Sequence, residues 1–211
     1  QDLSSWNSGS SYIFTDRDAL NTAVSAWKND NIGATALYGD ISTWDVSAIT
    51  DFSHLFSYGK WFNADRNDNF ELSSWDVSNG TDFSYMFYNT IITEDIGSWD
   101  VSSGTNFQGM FSGATYFNED IGSWNVSNGT DFSSMFYGAN DFNQNIGDWN
   151  VSSGTNFSSM FRSADRFNQD ISSWDISSGT DFSNMFTGAN YFDQDLSSWN
   201  SGSSYIFTDR D

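Results

Sequence analysis

The chain has 211 residues, 28 of them acidic and seven basic, which gives a formal net charge of −21. This charge makes nucleic acid and anionic membranes unfavourable partners. The apolar runs fall well short of the ~18 residues that cross a bilayer, and the absence of cysteine excludes disulfides and thiolate metal sites. We therefore expect no nucleic-acid partner and no membrane insertion within this segment.

The two ends of the chain carry the same sequence, QDLSSWNSGSSYIFTDRD, at residues 1–18 and again at 194–211. The shorter repeats between them have diverged, so an unchanged copy indicates a recent or homogenised duplication with a period of 193 residues. We interpret residues 1–13 as the end of a preceding tandem copy with its linker, and residues 201–211 as a linker and the start of the next copy. The first expected partner is therefore a neighbouring copy of the same chain, head to tail.

Residues 14–38 are expected to form an N-terminal capping helix region. Thr15, with Asp18 three residues later, resembles a weak capping box at the start of the helix. Four apolar residues share one helical face, namely Leu20, Ala23, Val24 and Trp27. We expect this face to cover the core of the first repeat.

Residues 39–200 consist of seven repeats. Trp recurs at positions 44, 75, 99, 124, 149, 174 and 199, and the last four intervals are 25 residues each. Within one unit, Trp124 and Val126 alternate as in a short strand, while Phe132, Met135 and Phe136 have the spacing of a short helix. Such a unit cannot bury its apolar side alone, but stacked units can.

The predicted fold class is therefore an α/β repeat solenoid, a leucine-rich-repeat-like right-handed stack with one short parallel strand and one short helix or turn per repeat. We expect columns of core side chains along it, with a ligand-stacking platform as the alternative role for the aromatic residues. The columns would comprise Trp99, Trp124, Trp149, Trp174, Met110, Met135, Met160, Phe111, Phe136 and Phe161.

The segment FNQDISSWDISSGTDFSNMF, residues 167–186, resembles the leucine-rich-repeat-like repeats of mycoplasma surface lipoproteins, which also occur in other bacteria and in algae. The opening FTDRDALNTAVSAWKND, residues 14–30, is similar to the lead-in helix of that family. The resemblance covers residues 14–200 and departs where Gly replaces the family's Val and Phe its first Met. It implies an extracellular or cell-surface location with structural or adhesive roles, and it supplies no catalytic residue.

Two columns of acidic or amide residues flank the Trp positions. Backbone capping by these side chains is one explanation, and ordered Ca²⁺ along the columns is another. The first column comprises Asp40, Glu71, Asp95, Asp120, Asn145, Asp170 and Asp195, and the second Asp45, Asp76, Asp100, Asn125, Asn150, Asp175 and Asn200.

An insertion at residues 59–71 lengthens the first interval and carries a calcium-loop-like pattern. The oxygen ligands would be Asp65, Asn67, Asn69, Glu71 and Asp76. Phe70 stands where such a loop requires Gly, so a plain polar bulge is the alternative. Ca²⁺ is the one cofactor that the sequence indicates, and Trp61 in this insertion is a candidate binding residue.

We expect no enzyme activity and no catalytic residue. His54 is the only histidine and lies in a variable repeat position that we expect to be an exposed helix position. No nucleophile elbow or phosphate-binding glycine loop is present. Five sequons are candidate glycosylation sites in a secreted protein, at Asn79, Asn125, Asn128, Asn150 and Asn156.

The expected function is that of a structural repeat module in a long extracellular tandem-array protein, which forms or decorates a fibre or surface coat. The alternative is a cell-surface adhesin that recognises a glycan or a matrix protein. A minor alternative is an ice- or mineral-binding protein with regular Ser and Thr rows. The exposed positions are mostly Ser, Asn, Asp and Gly, which favours the structural hypothesis.

Overall fold

A computed structural model describes residues 11–58 and 71–200 of the chain. The N-terminal part is a helical hairpin of α1 (Arg17–Asn29) and α2 (Asn31–Tyr38). Two 3₁₀ helices, Ile41–Thr43 and Ser197–Asn200, lie near the two ends of the repeat region. Between them the described chain is built from successive tight turns.

The N-cap of helix α1 is Asp16 and not Thr15. The Asp16 carboxylate accepts a hydrogen bond from the Ala19 N–H at 2.8 Å, which satisfies one of the free donors of the first turn. Asp18 in the first turn and Lys28 in the last turn complement the helix dipole. The buried residues of α1 are Leu20, Ala23, Val24 and Trp27, which is the face expected from their spacing.

Asp30 joins the two helices. Its N–H donates to the Ala26 carbonyl and ends α1, while its carboxylate accepts from the Gly33 N–H at 3.0 Å and begins α2. Helix α2 ends at Gly39, whose φ of 78° lies in the left-handed region that favours glycine. The hairpin is therefore capped at every end by its own sequence.

The prediction of an α/β repeat solenoid of the leucine-rich-repeat-like type is wrong. The described residues contain no strand, and their only two α helices precede the first repeat. Where a strand was expected, the Trp124 N–H donates to the Ile121 carbonyl at 3.1 Å and the Gly129 N–H to the Val126 carbonyl at 2.8 Å. Two tight turns thus follow each other and leave no room for an extended segment.

The helix expected at residues 132–139 is absent because of the backbone conformation. Ser134 and Gly138 have φ of 55° and 66°, and left-handed residues cannot continue a right-handed helix. Each four-residue turn still returns an apolar side chain to the interior, which reproduces a helical spacing. Equivalent pairs occur in the other repeats, at His54 and Tyr58, Tyr85 and Asn89, Gly109 and Gly113, Ser159 and Ser163, and Asn184 and Gly188.

Neighbouring repeats are joined by main-chain hydrogen bonds at every second residue. The Phe132 N–H donates to the Asn156 carbonyl and the Phe136 N–H to the Met160 carbonyl, both at 2.9 Å. One isolated parallel bridge, such as Asp131 with Asn156, marks each contact between repeats. Along this segment the N–H groups point to the following repeat and the intervening carbonyls accept from the preceding one.

Aromatic rings from successive repeats form parallel columns in the core. The ring centroids of Phe111, Phe136 and Phe161 are 5.7 and 5.6 Å apart, with planes within 9° of parallel. Trp99 and Trp124 are 6.5 Å apart at 4°. These separations correspond to offset stacking, which aromatic pairs prefer over direct face-to-face contact. The ten side chains listed above for the columns are all buried, with at most 4% of their surface exposed.

The indole N–H groups also connect the repeats. Trp124 donates to the Ile96 carbonyl at 3.0 Å and Trp149 to the Ile121 carbonyl at 3.1 Å. Both bonds are buried, and each is the second hydrogen bond to a carbonyl that also accepts within its own turn, from the Trp99 N–H and the Trp124 N–H, both at 3.1 Å. One Trp per repeat therefore supplies both packing area and a hydrogen bond between repeats.

Candidate functional surfaces

The acidic and amide columns cap the backbone. The carboxylates of Asp95 and Asp120 accept hydrogen bonds from the N–H groups of Gly97 and Gly122, both at 3.0 Å. A third column at the bridge position does the same, as in Asp131, which accepts from the Ser133 N–H at 2.8 Å. Of the two explanations drawn from the sequence, the structure displays the Asx turn. Among the described residues, no group of three or more His, Cys, Asp or Glu could hold a metal ion.

Serine hydroxyls strengthen several of these turns. The Ser47 hydroxyl and N–H both donate to one carboxylate oxygen of Asp45, at 2.6 and 3.0 Å. These two bonds favour the charged carboxylate and lower the pKa of Asp45. The pKa is lowered by the same arrangement at Asp100, Asp170, Asp175 and Asp195. The charged form of these carboxylates therefore accepts the hydrogen bonds that hold the turns.

Glu94 is a half-buried carboxyl group in an unfavourable environment. Its burial, with the nearby charges of Glu71 and Glu119, raises the pKa of Glu94 to about 7. Burial, with the charge of Asp95, also raises the pKa of Glu119.

The later repeats carry glutamine where these two glutamates lie. The Gln144 side-chain amide donates to the Asn118 carbonyl of the preceding repeat at 2.7 Å, and Gln169 donates to the Asn143 carbonyl at 2.9 Å. An ionised carboxylate cannot donate such a bond. Glu94 and Glu119 therefore lack, when ionised, a donor that the glutamines of the later repeats have.

Three of the five predicted calcium ligands lie outside the residues that the structure describes. Asp65, Asn67 and Asn69 lie outside the described residues, as does Trp61. Glu71 is exposed, and the Asp76 carboxylate accepts from the N–H and hydroxyl of Ser78, at 3.1 and 2.6 Å. The calcium site therefore stays a prediction.

The five sequons differ in how their side chains are used. Asn79 donates its amide nitrogen, the atom that would carry a glycan, to the Ser47 carbonyl at 2.8 Å, and Asn128 donates in the same way to the Ser102 carbonyl. In the other three, at Asn125, Asn150 and Asn156, the side-chain oxygen accepts a bond in an Asx turn. Asn156 is half-buried, whereas the other four are exposed.

Two cations close the N-terminal end of the stack. The first repeat has no preceding repeat to donate to its carbonyls, and the Arg17 guanidinium donates to the Ser53 carbonyl instead. The Lys28 ammonium donates to the Leu55 carbonyl at 3.0 Å. Burial, aided by the charge of Arg17, lowers the pKa of Lys28 to about 8. Helix α1 thus places two positive charges against the carbonyl groups at the N-terminal end of the stack.

The C-terminal end of the stack is more open. Phe186 and Phe192 are partly exposed, whereas Phe161 and Phe167 in the same positions one repeat earlier are fully buried. The described residues provide no acceptor for the N–H groups of Asn184, Phe186 and Gly188, although the equivalent groups of earlier repeats have one. Within the described residues, this end therefore differs from the earlier repeats in both ring burial and main-chain pairing.

A cluster of four rings, two exposed (His54, Tyr58) and two half-buried (Tyr85, Tyr88), lies on the turn surface of the first two repeats. The rings of His54 and Tyr85 stack at 4.9 Å and 12°. Tyr88 packs edge-on against Tyr85 at 5.6 Å and against Tyr58 at 5.0 Å. Tyr58 is 68% exposed.

The sequence did not predict this cluster, because the position of His54 was expected to lie on a helix. His54 is exposed as expected, but it lies in a left-handed turn. The signal was present in the repeat alignment, since most other repeats carry Ser, Asn or Gly at the positions of His54, Tyr58 and Tyr85. Aromatic residues in positions that other repeats fill with small residues indicate a special role for those positions.

The stacked turns, the Asx columns and the aromatic columns define a repeat protein in which each unit depends on its neighbours. The chain belongs to the family described as Mycoplasma protein of unknown function, DUF285, whose model matches residues 32–140 and 123–209. This confirms the resemblance to a mycoplasma repeat family, although not the leucine-rich type of the repeat. No curated protein and no solved structure matches the chain. In the described ranges no helix is long and apolar enough to cross a membrane.

Proposed function

We propose that the chain is a structural repeat module of a long extracellular or cell-surface protein, in which tandem copies form or decorate a fibre or surface coat. The observation that carries this proposal is the identity of residues 1–18 and 194–211. A period of 193 residues that ends inside the repeat pattern gives successive copies the same register. The exposed positions, mostly small and polar, support a covering role over selective recognition.

The difference between the two ends of the stack supports a directional assembly. At the N-terminal end Arg17 and Lys28 donate to the carbonyls of Ser53 and Leu55, while at the C-terminal end no described residue accepts from the N–H groups of Asn184 and Gly188. Partly exposed Phe186 and Phe192 lie at the same end. A following copy would bury these rings, because burial of apolar surface favours association.

The test compares one period with two periods linked as in the sequence. Small-angle X-ray scattering and electron microscopy should find the two-period protein to be a rod with one fixed angle between its halves. The matched control inserts a flexible Gly-Ser segment between Asn200 and Ser201, which should release that angle. Two independently oriented bodies in both proteins would contradict the proposal.

A further inference from the structure

We infer that the ring cluster of His54, Tyr58, Tyr85 and Tyr88 is a binding site for a neutral oligosaccharide, whose sugar rings pack against the exposed aromatic surface. This inference concerns a different part of the molecule from the stack ends and does not depend on tandem assembly. It rests on the backbone conformation of these residues, on their mutual packing and on the chemistry of the surface.

The first step is the backbone conformation of the aromatic residues. His54, Tyr58 and Tyr85 have φ of 56°, 56° and 55°, in the left-handed region that bulky side chains avoid. Equivalent positions elsewhere carry Gly113, Gly138 or other small residues. Bulky residues in disfavoured conformations tend to occur where a site requires the side chain in that place. Three of them in two adjacent repeats point to a function for the rings.

The second step is the fixed arrangement of the rings. Tyr85 lies between the ring of His54 and the backbone of the next repeat at Gly109. A Cβ atom at Gly109 would lie 2.4 Å from the Tyr85 ring, so only glycine accommodates that ring. Tyr88 then contacts both Tyr85 and Tyr58 edge-on. Because the rings are held before a ligand arrives, binding loses little side-chain entropy.

The third step is the character of the surface. The cluster combines apolar ring faces with phenol hydroxyls and an imidazole. The exposed aliphatic side chains Ile13, Ile32 and Leu37 are not part of it, since they belong to the N-terminal segment and helix α2. A pyranose ring has the matching character, with C–H groups on its faces and hydroxyls around its edge. Tyrosine suits such ligands because it offers a large rigid surface and a polar group together.

The fourth step is charge. The net charge of −21 disfavours an anionic ligand. A cationic ligand gains little here, because Arg17 and Lys28 donate to the carbonyls of Ser53 and Leu55, the two residues that flank His54. The observations therefore favour a neutral ligand over either charged class.

The experiment titrates the whole chain with cellohexaose, chitohexaose and mannohexaose at millimolar concentration and follows the aromatic NMR signals. At least one oligosaccharide should shift the signals of the His54, Tyr58, Tyr85 and Tyr88 rings in a saturable way. The variant carrying His54→Ser and Tyr58→Gly should bind at least tenfold more weakly. It should fold normally, because Ser134 and Gly138 occupy the same positions three repeats later.

The matched control is Tyr191→Ala, which removes a tyrosine that is 65% exposed in the last repeat. It should leave the affinity unchanged. The inference is overturned if none of the three oligosaccharides shifts these rings, or if the double variant binds as well as the parent chain. Ring shifts that depend on protein concentration without sugar would identify a self-association surface and would also overturn it.

Discussion

At the scale of single residues, the tryptophan of each repeat has two separable roles. Trp149 is 3% exposed, and its indole N–H donates to the Ile121 carbonyl of the preceding repeat. Replacing it with phenylalanine keeps an aromatic ring in the column but removes one of the two donors to the Ile121 carbonyl, which still accepts from the Trp124 N–H. The two effects can therefore be measured against each other.

We expect Trp149→Phe to lower the free energy of unfolding by about 1–3 kcal/mol, since the lost hydrogen bond contributes about 0.5–1.5 kcal/mol and the smaller ring leaves a cavity. Urea unfolding measures the change. The control Ser153→Ala removes an exposed hydrogen bond to the Ser127 carbonyl and should change stability by less than about 0.5 kcal/mol. Equal effects of the two variants would contradict a buried structural role for the indole N–H.

Glu94 gives the stack a predictable dependence on pH. Its folded-state pKa of about 7 lies above the ordinary value of 4.5, so the folded chain binds this proton more tightly than the unfolded chain. The resulting stability is present below pH 4.5 and is lost as the pH rises to about 7. Since Glu94 is only half-buried, solvent screening reduces the effect.

The variant Glu94→Gln should therefore be more stable than the parent above pH 7, with a melting temperature higher by about 2–4 °C, and no more stable below pH 4.5. Asp148→Asn removes the same charge from an exposed position and is the matched control. Calorimetry across this pH range measures both, and a gain that is the same at every pH would exclude titration of Glu94 as its cause.

At the scale of elements, the sequence predicted which side chains are buried but not the backbone that buries them. The recurrence of Trp, Met and Phe at a fixed interval identifies the core in any stacked fold. The spacing of Phe132, Met135 and Phe136 does not distinguish a helix from consecutive four-residue turns, because both return to the interior after three or four residues. The left-handed Ser134 decides between them, and serine carries no such signal on its own.

The spacing of the Asp and Asn residues predicts turns more clearly than strands. An Asp or Asn two residues before Ser or Gly recurs three times per repeat, as at Asp120, Asn125 and Asp131. Asx side chains favour turns over strands, so this pattern argues against the predicted strand at Trp124. The predicted calcium ligands are also Asp and Asn residues. The same sequence pattern can therefore indicate either an Asx turn or a metal site.

The left-handed positions make a direct prediction about Ser159, whose φ is 56°. Ser159→Gly should raise the free energy of unfolding by about 0.5–1 kcal/mol, because glycine adopts this conformation without steric cost. Ser159→Ile should lower it by about 1–2 kcal/mol. Glycine at the neighbouring Ser158, which is not left-handed, should destabilise instead. Chemical denaturation compares the three, and the same sign for both glycine variants would contradict the assignment.

The capping helix makes a second prediction at this scale. Arg17→Met and Lys28→Met should each lower the free energy of unfolding by about 1–3 kcal/mol, because the carbonyls of Ser53 and Leu55 lose their donors. Hydrogen exchange should show faster opening in α1. Arg166→Met, which breaks an exposed 3.2 Å ion pair with Asp141, is the control and should cost less than about 1 kcal/mol. Comparable losses in all three would indicate a general charge effect.

At the scale of the whole molecule, the repeat is a unit that can be removed. Deletion of residues 127–151 joins Val126 to Ser152 and preserves the frame of every column. We expect this shorter chain to fold with a modest fall in melting temperature, since each repeat contacts only its neighbours. Deletion of residues 127–139 should abolish cooperative unfolding, because it places Asx positions against core positions. Circular dichroism and thermal unfolding distinguish the two outcomes.

The column of indoles also has an optical consequence. Trp99 and Trp124 lie 6.5 Å apart at 4°, Trp149 and Trp174 lie 6.4 Å apart at 4°, and Trp199 continues the series at 6.2 Å. Excitation absorbed by one chromophore at such separations passes readily to the next. Because neighbouring ring planes lie within 4–11° of parallel, the emission dipole stays close to the plane of the absorbing ring. Quenching of one indole should therefore lower the emission of its neighbours in the column. Unfolding separates the chromophores and ends this energy migration, so fluorescence quenching reports how many indoles remain in line.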